Sequence, residues 1–336
     1  MTPLRVLVAH NRPAGSGPDR ISEAGVEAAA DAARSALETL GYDVVSLALE
    51  TPAQALETLA AYRPDAVVNL CEGLAGDARH EMHVAALWEL AGIPYTGSPP
   101  LALGISRDKA TVKRLLESAG IATPEWALCE TVPNAAPVPF PAIVKPVRED
   151  ASLGIGSASV VGDLSALRRA VADLLERYRQ PALVERFIPG REFNAAILGN
   201  DPPRLLPLAE IDFSGLPPDA PAIVGYEAKW LPGHPLYRGT PAVCPASVTP
   251  ELTARITEAA LGAWALTGGR DYGRVDLRVA PDGRVFVLEV NLNPDTSPDA
   301  GFARAAAAAG ISYPNFFRDL VRWARERSGH DRPARS

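Results

Sequence analysis

Four polar residues set in two apolar runs have the types and spacing for metal chemistry. Arg274 and Asp276 open the run Arg274-Val275-Asp276-Leu277-Arg278-Val279, and Glu289 and Asn291 end the run from Arg284 to Asn291. The first run alternates polar and apolar residues, the period of a strand with one face buried. Pro281-Asp282-Gly283 between the runs reads as a turn, so the two make an antiparallel hairpin. Side chains repeat every two residues, which puts Arg274 on one face with Asp276 and Glu289 on one face with Asn291. If the hairpin brings those faces together, one guanidinium, two carboxylates and an amide oxygen converge among apolar neighbours. Carboxylates buried without a partner are costly, and a hard cation that takes oxygen ligands, Mg²⁺, would offset that cost. The competing reading is a solvated polar face. The apolar opposite faces and the immediately following Leu292-Asn293-Pro294 weigh against it.

The elements that must position these residues can be read along the chain. Leu4–Ala9, Val44–Leu49 and Asp65–Leu70 are short apolar runs suited to buried strands. Between and after them, Ile21–Leu40, Pro52–Tyr62 and Arg79–Ala91 carry helical spacing, two of them stopped by Gly41 and Gly92. Strands alternating with helices predict a parallel sheet, with ligands beyond the carboxyl ends of its strands. His10-Asn11-Arg12 and Cys71-Glu72-Gly73 fall there. A helix is predicted from Ser106 through Leu116, with Asp108 as its N-cap and Lys109 in its first turn, where a cation opposes the helix dipole and invites an anion. The strand Pro139–Pro146 ends on Lys145. The glycine-bearing loop Arg148–Gly156 follows, then a strand Ser157–Val161 and a helix Leu164–Tyr178. Backbone N–H groups of such a loop can close over phosphate oxygens, although no Walker pattern is present. Pro181–Ile188 and Gly190–Leu198 read as strands bearing Glu185 and Glu192. Residues 213–246 have no clean period and read as a lid. Pro250–Leu266, Pro298–Ala309 and Pro314–Arg325 complete the helices, with fraying expected after Ser328.

Asp276 on one strand and Glu289-Val290-Asn291-Leu292-Asn293-Pro294 ending the next resemble the metal site of ATP-grasp ligases, and most closely that of D-alanine–D-alanine ligases. Gly92-Ile93-Pro94-Tyr95-Thr96-Gly97-Ser98, Asp108-Lys109 and Tyr226-Glu227-Ala228-Lys229-Trp230 extend the resemblance over most of the chain. It implies an α/β ATP-grasp fold with an N-terminal parallel pre-ATP-grasp domain over 1–98. A central flap subdomain over 99–184 and a C-terminal subdomain over 185–328, holding the metal and substrate site, would follow. The implied cofactors are ATP and two Mg²⁺ ions, for which Mn²⁺ could substitute. Asp276, Glu289 and Asn291 would hold the metals. Lys109, Lys145, Ser152, Gly154, Glu185, Arg186, Phe187, Ile188 and Glu192 would hold the nucleotide, Glu185 near the adenine amine and Glu192 on the ribose. Lys229 would reach the γ-phosphate, and Arg274 would meet acyl-phosphate and tetrahedral oxygens. The implied reaction activates a carboxylate as an acyl phosphate, which an amine then attacks, in cytoplasm, with a homodimer compatible with the resemblance.

The departures concern substrates. The family anchors its first substrate's amine through a Glu after the first strand, a Ser in the flap and a Tyr in the lid. Here Asn11–Gly17 contains no acid, the flap position aligns with Ala151 beside Ser152, and the lid position aligns with Trp230. The Ser that helps bind the second carboxylate aligns with Ala300 in Asp295-Thr296-Ser297-Pro298-Asp299-Ala300-Gly301. A pocket built on polar partners does not lose four of them and keep its substrate. The expectation is a ligase with altered amino-acid substrates, with Glu72, Trp230, Asp295, Ala300 and Gly301 against them. A D-alanine–D-alanine ligase and a non-catalytic nucleotide-binding regulator are the alternatives, and the intact Asp276, Glu289, Asn291 and Lys145 oppose the second.

Composition bounds the rest. The 336 residues, 47% hydrophobic and 22% charged, suit a multi-domain globular protein. A net charge of −7 gives no electrostatic attraction to nucleic acid or an anionic membrane. Cys71, Cys129 and Cys244 lack metal spacing and read as packing residues of a reducing compartment. No apolar run is long enough to span a membrane, and the start shows no signal peptide.

Overall fold

A computed structural model describes residues 3–12 and 20–330. At its N-terminal end β1 (Arg5–Asn11), β2 (Asp43–Leu49) and β3 (Ala66–Asn69) form a parallel sheet in the order β2-β1-β3. Val6, Leu7, Val8 and Ala9 are wholly buried, as a parallel strand covered on both faces requires. The crossovers are α1 (Arg20–Thr39) and α2 (Pro52–Tyr62), and α3 (Glu81–Leu90) follows β3. Thr51 caps α2 by accepting from the Gln54 N–H, with Pro52 in the first turn, a cap that stabilises a helix by about 1 kcal/mol. The helix predicted over 79–91 begins with a 3₁₀ turn, Ala78–His80.

Where one helix is predicted from Ser106, the chain builds two, α4 (Pro100–Arg107) and α5 (Lys109–Ser118). Pro100 starts the first. Asp108 leaves helical geometry (φ −95°, ψ 98°) and caps the second by accepting the Thr111 N–H at 2.9 Å.

Next, β4 (Trp126–Cys129), β5 (Ala142–Pro146), β6 (Val160–Val161) and β7 (Ala182–Arg186) form an antiparallel sheet ordered β4-β7-β5-β6. Helix α6 (Leu164–Tyr178) covers it, burying Leu167 and Val171 against Val144 and Val184. The strand predicted at Ser157 is first a 3₁₀ turn, Ser157–Ser159, and only then β6. β4 is too short for its period to be read. Residue 184, where the central subdomain is expected to end, falls inside β7, which pairs with both β4 and β5.

The larger sheet comprises β8 (Arg191–Leu198), β9 (Arg204–Leu205), β10 (Ala209–Ile211), β11 (Ala242–Val243), β12 (Tyr272–Val279) and β13 (Val285–Asn291). Its order is β11-β10-β8-β12-β13, with β9 also paired to β8. Residues 213–246, predicted to be irregular, contain α7 (Tyr226–Trp230), α8 (Pro235–Arg238) and β11. Helix α9 (Pro250–Thr267) packs Leu252, Ile256, Ala260, Ala263 and Trp264 onto the sheet. After α10 (Gly301–Ala308), α11 (Tyr313–His330) returns to α1, burying Phe316, Phe317 and Leu320 with Ala30, Ala33 and Leu37. The fraying expected at Ser328 is absent up to His330. Among the described residues no helix is long and apolar enough to cross a membrane.

Candidate active site

The hairpin β12–β13 sets Asp276 opposite Glu289 and Arg274 opposite Asn291. A β-bulge makes this possible. Leu277 pairs with Val287 while Asp276 pairs with Glu289, so Leu288 is the extra residue. In unbroken register Leu288 would face Asp276 and Glu289 would turn to the opposite side; the bulge re-aims it. Arg274 donates to both oxygens of Asp276, at 2.7 and 2.8 Å. Asn194 on β8 donates to Asp276 Oδ1 at 2.7 Å, and Asn291 Nδ2 donates to Asp276 Oδ2 at 3.1 Å and to Glu289 Oε1 at 3.4 Å. Burial pushes the Glu289 carboxyl up, but Lys109, Lys145 and Arg274 together hold it well below the usual carboxylate range.

A cavity of about 1330 Å³ opens over this hairpin and reaches the loops after β1 and β3. Every site residue read from the sequence lines it except Lys109 and Gly154. Lys109 is buried behind the wall, its Nζ 3.0 Å from Asp150 and 3.4 Å from Glu289. These are the anions its first-turn position calls for. Burial opposes its charge, and Asp150 and Glu289 more than restore it, raising its proton affinity. Gly154 has φ +73°, and a Cβ there would meet Pro146 and the Tyr178 ring at 2.8–2.9 Å, so this glycine serves loop packing.

Lys145, next to last on β5, has its Nζ 2.5 Å from Glu185 on β7. The other Glu185 oxygen pairs with Lys113, a wholly buried lysine whose Nζ also donates to Thr123 Oγ1 at 2.7 Å. Burial alone would raise the Glu185 carboxyl, and the two lysines reverse that. Both acids lie on central strands, which excludes the solvated edge-strand reading of Glu185 and Glu192. Glu192 takes Arg278 Nε at 3.1 Å and Nη2 at 2.7 Å, and Arg278 also donates to the Ile188 carbonyl at 2.9 Å. The Arg278 guanidinium lies over the Phe187 ring, 4.8 Å from its centroid. Burial raises Glu192 despite Arg278. Arg186 is exposed and reaches Glu125 at 3.4 Å.

The lid is docked on the flap. Trp230 Nε1 donates to the Ala151 carbonyl at 2.8 Å, Ser152 Oγ to the Val224 carbonyl at 2.8 Å, and the Tyr226 N–H to the Ile155 carbonyl at 2.8 Å. Ser152 is therefore committed to the lid rather than turned toward a ligand. Ala151 and Ser152 both hold left-handed backbone, φ 55° and 60°. Lys229 faces the cavity. Burial lowers its proton affinity, and neighbouring Arg274 lowers it further.

Among the residues expected against the substrates, the Glu72 N–H donates to Asn11 Oδ1 at 2.9 Å. Asp295 Oδ1 accepts the Ser297 N–H at 2.8 Å. Ala300 precedes Gly301 at the start of α10 and offers it no side-chain cap. Of the acid-free stretch Asn11–Gly17, residues 13–17 lie outside the described residues.

The sequence reading passed over Lys113, Asn194, Arg278, Asn293, Glu81 and Arg107. Two were within its reach: Arg278 extends the two-residue period of Arg274 and Asp276, and Asn194 extends that of Glu192. The register confirms both pairings, Asp276 with Asn194 and Arg278 with Glu192. The others come from elements far apart in sequence.

The family description "D-ala D-ala ligase C-terminus" matches residues 115–322. An uncharacterised protein of Sinorhizobium fredii is 34% identical, covering 89% of this chain and 88% of its own. D-Alanine–D-alanine ligases of Desulforudis audaxviator (33% identical, 87% and 91% covered) and Aquifex aeolicus (32%, 86% and 92%) are similar across the same span. The fold matches that of the Bacillus anthracis D-alanine–D-alanine ligase complexed with ATP, with a TM-score of 0.76 at 22% identity, over 98% of this chain and 100% of that one. The Coxiella burnetii enzyme gives 0.72 at 18% identity, over 98% and 95%.

Proposed function

The chain belongs to the D-alanine–D-alanine ligase family of ATP-grasp, ATP-dependent carbon–nitrogen ligases, and on that footing we propose that it joins amino-acid-like substrates other than two D-alanines through an acyl phosphate. The observation that carries the chemistry is the in-register convergence of Asp276, Glu289 and Asn291 beside Arg274 in the cavity that Lys145 and Lys229 also line.

The residues fit Mg²⁺. Among the described residues no three His, Cys, Asp or Glu side chains gather for a metal. Two carboxylates and an amide do, which suits a cation that is typically bound by one or two carboxylates together with substrate phosphates and water. Asn291 would turn its amide to present oxygen, an exchange of two nearly isosteric ends. Bound there, the ions would neutralise phosphate charge. This chain's own groups do the rest. Lys145 and Lys229 offset the remaining triphosphate charge. Arg274, freed from bidentate contact with Asp276, offers a fixed fork to the acyl oxygens. The docked lid excludes the water that would hydrolyse an acyl phosphate.

The altered-substrate reading is supported by Ala151, Trp230 and Ala300. The Trp230 indole N–H goes to the flap backbone and Ser152 to the lid, so neither offers a polar group to a substrate amine. The names of the relatives favour the second reading, D-alanine ligation. Phosphate release from ATP and Mg²⁺ with the common amino acids and their D enantiomers, paired with product masses, separates the two. A condensed product other than D-alanyl-D-alanine is expected. Phosphate release with D-alanine alone, at rates matching any other pair, would overturn the altered-substrate reading.

A further inference from the structure

We propose that Glu72 is the proton acceptor for the amine substrate, its carboxylate taking the ammonium proton as the nitrogen attacks the acyl phosphate. The inference rests on the ligase reading above. An aliphatic amine arrives protonated at neutral pH, and its lone pair is unavailable until a proton leaves. The electron pair left on nitrogen forms the new C–N bond, the C–O bond breaks with its electrons on phosphate, the departing phosphate takes the second nitrogen proton, and the first stays on Glu72 until solvent removes it.

The other carboxylates of the inner wall are engaged. Asp276 is held by Arg274, Glu289 by Lys109, Glu185 by two lysines and Glu192 by Arg278. Glu81 accepts from Asn293 at 3.1 Å and faces Arg107 at 3.4 Å. Asp295 and Asp299 are exposed at the mouth. Among the described residues no group hydrogen-bonds or ion-pairs the carboxylate of Glu72, which lines the cavity.

Its placement is fixed from three sides. Asn11 at the end of β1 holds its backbone N–H. Gly73 lies so close to the Asp77–Ala78 backbone that a Cβ would come within 2.9 Å of it. Asn293, two residues past Asn291, donates to the Cys71 carbonyl at 3.1 Å and accepts the Tyr272 hydroxyl at 2.8 Å. That staple ties the Glu72 loop to the end of the strand carrying Glu289. Burial, with Glu81 and Asp295 nearby, pushes the Glu72 carboxyl up to about 8. Lys229 opposes this and Asp150 adds to it. A carboxylate with raised proton affinity is a stronger base and binds an incoming ammonium.

The test uses hydroxylamine, which is unprotonated at neutral pH and traps acyl phosphates as hydroxamates without a base. Wild type and Glu72→Gln are compared with ATP, Mg²⁺ and the amino-acid panel, with and without hydroxylamine. The expected result is a fall of about a hundredfold in the ratio of amide to hydroxamate, in line with the usual worth of a general base. Glu72→Asp should recover part of it. In wild type, kcat/KM for the amine should fall as pH drops through about 8, and Glu72→Gln should lack that limb. An unchanged ratio overturns the proposal while leaving the ligase reading intact, as does equal loss of both products. No ATP-dependent hydroxamate from wild type with any amino acid overturns the ligase reading and this inference with it.

Discussion

At the residue scale the site is a set of carboxylates, most of them held by neighbouring cations. Glu289 answers to Lys109, Lys145 and Arg274, which keep it ionised. Glu289→Gln should therefore cut ATP turnover by a hundredfold or more while retaining the wild-type circular dichroism spectrum, since an amide cannot replace the charge that a divalent cation requires. Retained turnover would end the metal assignment of the hairpin. Lys145→Ala leaves Glu185 its Lys113 partner, so the fold should hold and the apparent KM for ATP should rise about tenfold. A change confined to amino-acid kinetics would move Lys145 out of the nucleotide site. Lys113 makes the opposite prediction. It is wholly buried and touches Glu185 and Thr123. Lys113→Met should cost about 3 kcal/mol in urea unfolding, because Glu185 loses its wholly buried partner and Thr123 loses its donor as well. A cost below about 1 kcal/mol would show Lys145 alone sufficient. The buried triad was invisible in sequence: Lys113, Lys145 and Glu185 lie on three elements and share no motif.

At the element scale, the strands and helices with strong periodicity were legible. The Arg274–Val279 strand, the helix Leu164–Tyr178 and the cap at Asp108 were set by local chemistry. The bulge at Leu288 was not, since strand period alone does not say where a register slips, yet it decides whether Glu289 faces Asp276. β4, β9, β10 and β11, two to four residues each, are too short to show a period. The docking of lid on flap is likewise a product of tertiary structure. Trp230→Phe removes one indole donor to Ala151 at the cost of a hydrogen bond, about 1 kcal/mol. Limited proteolysis should cut residues 213–246 roughly five times faster in this variant. Equal rates would mean that Ser152 and Tyr226 hold the lid without Trp230.

At the scale of the whole molecule, three sheets converge on one cavity, and Arg327 on α11 bridges Asp271, to which it donates at 2.5 and 2.9 Å, and the Tyr95 carbonyl after α3, at 3.0 Å. On the proposed reading, the nucleotide end of that cavity carries Lys145 and Lys229, and the substrate end carries Ala151, Trp230 and Ala300 where the family's polar groups are expected. Each lost charge-assisted hydrogen bond costs about 1.5–3 kcal/mol, so D-alanine alone should give dipeptide at an efficiency roughly a thousandfold below that of the preferred pair. The central claim is that this chain activates a carboxylate by phosphorylating it. The most direct measurement supplies amino acids labelled with heavy oxygen in the carboxylate, together with ATP and Mg²⁺, and weighs the phosphate released. One heavy oxygen in each phosphate, matched to one condensed product, is the predicted result; unlabelled phosphate released alongside that product would contradict the acyl-phosphate account.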